Sequence, residues 1–337
     1  MRARHAPILL LTTALAAACA GSPASPSSPS PPTIGSDRLV EGLAVNAVDG
    51  TAAAGLSVRV NTAPTATTDA SGYFRTEVDK LGSHATTITG PAIVERQTLI
   101  SSPTVERARL SVIPSSFDLV AFDEMFRTAN SRLQRWTTRP ALVVLASVMS
   151  YRMPADEYTA TSEQMSDEEV SLLAAHLTEG LTLLTGGTYT SFASVDIERP
   201  ASGGRASVTR QGTIVVGRYN GILTFAQTIG YGRWAENPDG SVSGGAMFLD
   251  RGFDRDDSRR RLLRIHELGH ALGYLHVESR TSIMNPAIGS EPTDFDRSAA
   301  IVAFQRTPGN VSPDRDPMSS APGPFATGQA RWTTFVP

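Results

Sequence analysis

The chain has 337 residues, 40% of them hydrophobic, and a formal net charge of −3. That length supports one sizeable packed core and a second, smaller one, so two domains are expected. A near-neutral balance, with a pI of about 6.1 and no broad basic stripe, leaves no electrostatic footprint for DNA or RNA, and no nucleic-acid partner is expected.

Met1-Arg2-Ala3-Arg4-His5 is a basic start, and Ile8 to Ala18 is an apolar run, the pattern of an export signal. The run falls short of the roughly 20 apolar residues that a spanning helix needs. Cys19, the sole cysteine, follows Leu15-Ala16-Ala17-Ala18, which resembles the lipobox of bacterial lipoproteins, with Ala16 where that family usually has Leu. The resemblance implies a signal over 1–19 ending at a lipidated Cys19. The protein would then sit at the cell envelope or surface, held to the membrane by a lipid anchor only; the alternative is plain secretion. One cysteine allows no intrachain disulfide, so the exported domains must be stable by packing. Residues 20–37 are almost entirely Ser, Pro, Ala and Gly and read as a tether.

Over 38–113, short alternating runs (Leu39 to Val45, Leu56 to Val60, Gly72 to Val78, Ala85 to Ile88) are separated by turn residues and predict strands. Asp49-Gly50, Ala54-Gly55-Leu56-Ser57-Val58 and Asp69-Ala70-Ser71-Gly72-Tyr73-Phe74 resemble the small β-sandwich modules related to the carboxypeptidase regulatory domain. This implies a spacer or weak binding unit without chemistry, with His84 on its surface.

From Phe117 the texture changes. Helical spacing of Leu119, Phe122, Met125, Phe126, Leu133 and Trp136 predicts a helix over 117–136, and Ala141 to Met149 a strand. Ser166 with Glu169 three residues later forms a capping box that opens a helix. Leu172, Leu173, Leu177, Leu181 and Leu184 are its expected buried stripe, and Gly186-Gly187 its stop. His176, within it, reads as a packed or surface histidine. Strands are expected at 192–197, 213–217, 222–228 and 246–250. Thr293-Asp294-Phe295-Asp296 precedes a C-terminal helix, and residues 311–337 read as an irregular tail.

His266-Glu267-Leu268-Gly269-His270 and His276 form the extended zinc signature, two histidines four apart and a third six further. On a helix, His266 and His270 are about 40° and one turn apart, so both imidazoles reach one ion. A continuous helix would carry His276 about 15 Å beyond His266, so the chain must bend, and Gly273 is the residue that permits it. Three neutral nitrogens leave a fourth tetrahedral position open, the mark of a catalytic Zn²⁺ site. Glu267 lies beside the metal as the expected general base. No Gly-X-Ser-X-Gly elbow competes with this reading. Arg259, Arg260, Arg261 and Arg264 read as a solvated face. Asp250, Asp254, Asp256 and Asp257, and again Asp314 and Asp316, raise the possibility of Ca²⁺, but neither cluster matches an EF-hand, and loop or capping carboxylates are the preferred reading.

These motifs resemble the metzincin superfamily, with Ser282-Ile283-Met284-Asn285-Pro286 similar to its Met-turn. The resemblance covers roughly 117–308 and implies Met284 as a hydrophobic support under the metal. Within the superfamily the chain looks closest to matrixins. Gly221 with Ile222, Leu223, Thr224, Phe225 and Ala226 resembles their edge strand, against which a polypeptide substrate pairs. Val277 and Pro286 depart from the named families, and the lack of a second cysteine excludes cysteine-switch latency. The implied fold class is α+β, a zincin-like catalytic domain (twisted mixed sheet, long zinc helix, Met-turn) over 115–310 after a small all-β sandwich over 38–113. The implied function is zinc-dependent endopeptidase. The alternative is a surface adhesion or binding lipoprotein with a vestigial zincin domain.

Overall fold

The computed structural model describes residues 38–103, 107–127, 132–318 and 331–335; Cys19 and the export signal lie outside the described residues. Alternation of buried and exposed side chains builds seven strands at the start: β1 (Leu39–Asn46), β2 (Ser57–Val60), β3 (Ala66–Thr67), β4 (Tyr73–Glu77), β5 (Gly82–Thr89), β6 (Arg96–Ser102) and β7 (Ala108–Val112). They form two sheets, ordered β4-β1-β7 and β3-β2-β5-β6. Val40, Ala44, Val58, Phe74, Ile88, Ile100 and Leu110 fill the space between them. His84 corrects the surface expectation. It is fully buried, with Nδ1 2.9 Å from Asn61 Nδ2 and Nε2 2.8 Å from Ser102 Oγ. Both ring nitrogens thus have polar partners, which is what makes a buried imidazole tolerable.

The rest of the chain adds α1 (Leu119–Phe126), β8 (Arg135–Trp136), β9 (Ala141–Ser150), β10 (Glu157–Gln164), α2 (Asp167–Leu184), β11 (Val195–Glu198), β12 (Arg205–Ser207), β13 (Thr213–Asn220), α3 (Ile222–Phe225), β14 (Gly230–Glu236), β15 (Ser241–Asp250), α4 (Arg251–Asp256), α5 (Arg260–Ala271), α6 (Asp294–Phe304) and β16 (Arg331–Phe335). The helix expected over 117–136 ends at Phe126. Arg127 turns extended, and its guanidinium reaches the Asn310 side chain at 2.7 Å. Both chain ends of α2 behave as its sequence dictates: Ser166 and Glu169 close a capping box, and the helix stops before Gly186. Leu172 departs from the expected stripe and is exposed, being one position off the face that Leu173, Leu177, Leu181 and Leu184 bury.

A nine-stranded sheet runs β12-β10-β9-β13-β15-β14-β16, with β11 added beside β9 and β8 beside β15. Flat, β10 and β15 would stand three strand spacings apart, about 14 Å. Yet the rings of Tyr158 on β10 and Phe248 on β15 are 5.5 Å apart, so the sheet curls. Tyr151, Tyr158, Tyr219, Tyr231 and Phe248 fill its concave face. Helices α2 and α5 lie on the other face through Leu177, Leu181, Leu263, Ile265 and Leu268, and α6 adds Val302 from its place against α2.

The α+β, zincin-like expectation is corrected by this architecture. Among the described residues the molecule is predominantly β, 37% strand against 22% helix, and its main sheet is a curled one. The helix bearing His266 and His270 is twelve residues, not a long one. Much of the excess strand lies between the expected strands at 222–228 and 246–250, where Gly230, Gly232 and Gly244 belong to β14 and β15. The tail expected to be irregular includes β16, which pairs antiparallel with β14 from Gly232↔Phe335 to Glu236↔Arg331. Nor do the two sandwich sheets stand apart, since Asp37–Pro337 forms one compact unit. Arg96 of β6 bonds Asp314 at 3.0 Å and Asp316 at 2.8 Å, and Arg306 bonds Asp314 and Ser111 at 2.7 Å each. No helix among the described residues is long and apolar enough to cross a membrane.

Candidate metal centre

Helix α5 lies across β14 and β15, and two glycines of β14 let it approach. A Cβ at Gly232 would lie 2.3 Å from His270 Cβ, and one at Gly230 would lie 2.8 Å from Glu267 Oε1. The helix ends in a Schellman arrangement: Tyr274 N–H bonds the Gly269 carbonyl at 2.9 Å, and Gly273 N–H bonds the His270 carbonyl at 3.0 Å. Gly273 takes φ +99, open to a residue without Cβ, and the chain turns back with His276 toward the helix.

The three histidines meet through one atom each. His266 Nε2 is 3.1 Å from His270 Nε2, which is 3.2 Å from His276 Nε2, and the third side of the triangle is 3.3 Å. Zinc–nitrogen bonds of about 2.0–2.1 Å at the tetrahedral angle place ligand nitrogens roughly 3.3 Å apart. The tautomers are set from behind. His266 Nδ1–H donates to the Ile283 carbonyl at 2.8 Å, and His270 Nδ1–H donates to the Tyr274 carbonyl at 2.7 Å. A carbonyl only accepts, so the proton sits on Nδ1 and Nε2 presents a lone pair. Burial pushes the His266 and His276 rings down to about 4 and His270 well below its ordinary value. The rings are therefore neutral at pH 7, and lone pairs converge at close range, an arrangement that a cation satisfies. Among the described residues this is the one group of three or more His, Cys, Asp or Glu side chains that could hold a metal.

Glu267 is buried beside them, and desolvation raises its carboxyl well above the ordinary value. Among the described residues its Oε2 has no hydrogen-bond partner. A buried carboxyl oxygen without a partner is costly, and this one borders a cleft of ≈ 260 Å³ lined by His266, Glu267, Leu223, Thr228, Ile229, Ala287 and Ile288. The donor set and the orphaned oxygen both fit a zinc ion with water.

Met284 is fully buried and packs against Gly269, where a Cβ would lie 2.4 Å from its sulfur. Its turn is anchored by Asp296, the third residue of α6. That carboxylate accepts from Ser282 Oγ, from Ile283 N–H at 3.2 Å and from Thr293 N–H at 2.6 Å. Asn285 holds the loop that carries His276, donating to the Val277 carbonyl at 2.6 Å and the Arg280 carbonyl at 2.7 Å. Asp296 and Asn285 have no metal contact and escaped sequence reasoning. The only signal for Asp296 was its place three residues after Thr293, where a capping box would put it.

Several expected site residues lie elsewhere. Ile222, Leu223, Thr224 and Phe225 are not an edge strand but the single turn α3, with Ala226 as its C-cap; the strand beside α5 is β14. Gly221 at φ +106 starts the turn and Gln227 at φ +57 reverses the chain into the cleft wall. Apolar content resembled a strand here, but Leu223 and Phe225 are exposed and only Ile222 is buried, an arrangement that one helical turn provides. Arg264 is not on a solvated face. It is buried on Asp254, which also takes Arg218 at 2.6 Å, and it lies 3.1 Å from His176 Nδ1. Arg259 and Arg261 do pair at the surface, with Asp257 and Glu179. The carboxylates considered for Ca²⁺ are engaged otherwise: Asp250 caps α4, Asp254 holds two arginines, Asp256 and Asp257 pair with Arg255 and Arg259, and Asp314 and Asp316 hold Arg96.

No family model matches the chain, and no curated protein matches it. Among solved structures, it is similar in part to two interface mutants of a type II cohesin–X-dockerin complex from Acetivibrio cellulolyticus. One is 24% identical over 22% of this chain and 55% of its own length, the other 21% over 27% and 74%, each at a TM-score of 0.17. The chain thus spans about half the length of the first, and likenesses this slight identify neither fold nor function.

Proposed function

We propose that the protein is a zinc-dependent endopeptidase acting on polypeptides outside the cytoplasm. The observation that carries this reading is the triangle of three Nε2 atoms, 3.1 to 3.3 Å on a side, beside a buried carboxyl with an oxygen unpartnered among the described residues. The metzincin-type signature from His266 to His276 and the Met284 turn support it at the level of local motif. A zinc ion held by the three imidazoles supplies Lewis acidity and an open position for water and a substrate carbonyl. Glu267 takes a proton from the attacking water as the new C–O bond forms. The same carboxyl returns that proton to the amide nitrogen as the C–N bond breaks, so no covalent acyl-enzyme forms. Leu223, Ile229, Ala287 and Ile288 give the cleft an apolar lining that excludes water from a bound chain. Export with a lipid anchor at Cys19 is part of the proposal and is supported by the sequence of residues 1–19.

The test measures bound zinc and cleavage of a mixed protein library by the wild type and by Glu267→Gln. Both should carry one zinc, and the variant should cleave about 10²–10⁴-fold more slowly. A wild type that holds no zinc, or a variant that cleaves equally well, overturns the reading.

A further inference from the structure

We propose that β16 occupies in cis the outer edge of β14, the edge along which an extended peptide substrate would pair, so that this strand competes with substrate. This rests on the peptidase reading above. Strand β14 has two edges. One is paired with β15 from Gly230 to Glu236, and the other is paired with β16 from Gly232 to Glu236. The register gives direction. Starting at Glu236↔Arg331, β16 runs along β14 to Gly232↔Phe335, toward the end of β14 that meets the metal centre. Gly232 is the residue packed on His270, and Gly230 is the one packed on Glu267. The cleft opens just before them, at Thr228 and Ile229. A peptide that adds to this edge antiparallel is therefore led to the three histidines by backbone hydrogen bonds, and the chain's own tail already holds that lane.

Chemistry on the two faces of β14 explains how the lane is built. Gly230 and Gly232 face α5, where any side chain would strike Glu267 or His270. Tyr231 faces the concave aromatic cluster, and on that same face Arg233 stacks on Trp332 of β16 with its guanidinium carbon 5.3 Å from the ring centroid. Backbone pairing, that stack and the packing of Trp332 against the concave cluster and over Gly244 hold β16, which among the described elements lies beside β14 alone in the sheet. The sequence that joins it to the body, Ser319 to Ala330, is mostly Ser, Pro, Gly and Ala. Being part of the same chain, β16 competes with a free peptide as an intramolecular ligand.

The experiment uses the full chain. Thr333→Pro with Thr334→Pro disrupts the pairing whichever of the two points its N–H at β14, since neighbouring strand residues point opposite ways. Ala235→Cys with Trp332→Cys, residues that face each other in the register, locks the pairing under oxidation. Peptide cleavage should rise about ten-fold or more in the proline variant, fall in the oxidised lock, and recover with reductant. A labelled peptide with the sequence Arg331 to Pro337 should bind the proline variant at least about ten-fold more tightly than the wild type, read by anisotropy, with or without Glu267→Gln. If the peptide discriminates in this way but no protein cleaves, the strand site stands and the peptidase reading fails. If cleavage is present and neither the proline variant nor the lock changes it, and the peptide binds all forms alike, cis occupancy is wrong while the peptidase reading stands.

Discussion

His266 and Ile283 are seventeen residues apart, yet the His266 ring donates from Nδ1 to the Ile283 carbonyl at 2.8 Å. One bond thus ties the metal helix to the turn that carries Met284. The Ile283 N–H on the other side of the same residue is held by Asp296 at 3.2 Å. Orientation of the first metal ligand therefore begins in α6.

Asp296→Ala should weaken zinc binding by about 10–100-fold although Asp296 touches no metal ligand, because loss of an outer partner frees the ligand ring to rotate. Chelator competition measures this directly. Asp296→Asn, which keeps one acceptor oxygen, should recover part of the affinity. Unchanged zinc affinity in Asp296→Ala would show that the turn is held by packing alone.

Gly269→Ala should destabilise the fold by about 1–3 kcal/mol, the usual cost of overpacking, since its Cβ would lie 2.4 Å from Met284 Sδ. Paired with Met284→Ala, which removes that sulfur, the loss should be less than the sum of the two single changes. Thermal unfolding of the four proteins in the cycle supplies the comparison.

Asp314→Ala removes the carboxylate paired with buried Arg306 and one of the two that hold buried Arg96, and should cost about 3–5 kcal/mol. Burial has already pushed Arg306 down to about 10, so the site has little further tolerance for an uncompensated charge. Because Arg96 and Ser111 belong to the sandwich and Arg306 to the region after α6, calorimetry of the wild type should show one transition for both parts. In Asp314→Ala that transition should fall in temperature, and an undiminished midpoint would mean that the network adds nothing.

His176 gives the stability a pH dependence of known sign. Desolvation and the Arg264 guanidinium lower its pKa in the folded chain below the ordinary 6.5. As pH falls through about 6.5 the unfolded chain takes up a proton first, so stability decreases from there down to the folded value. Urea midpoints at pH 7.5 and 5.0 should differ less in His176→Gln than in the wild type. Equal differences would place the titration elsewhere.

The motif from His266 to His276 was legible because helix period and ligand spacing are local facts. So were the capping box at Ser166 and Glu169 and the strand beginning at Ala141, since these depend on a few adjacent residues. The edge beside the metal was not. Ile222 to Ala226 carries more apolar surface than Gly230-Tyr231-Gly232, yet the glycines form the strand, because only a residue without Cβ fits against His270 and Glu267. Arg264 could not be told from Arg259 and Arg261 by sequence, since all lie within one charge run; its burial depends on Asp254 arriving from α4.

Sequence by itself thus determined which residues bring imidazole and carboxyl chemistry, and at which helical phase two of them stand. Tertiary structure alone decided that Asp296 and Ile283 orient the first of them and that β16 lies along β14. Those facts rest on contacts between segments far apart in the chain, where the deciding quantity is the space left between packed surfaces rather than any local preference.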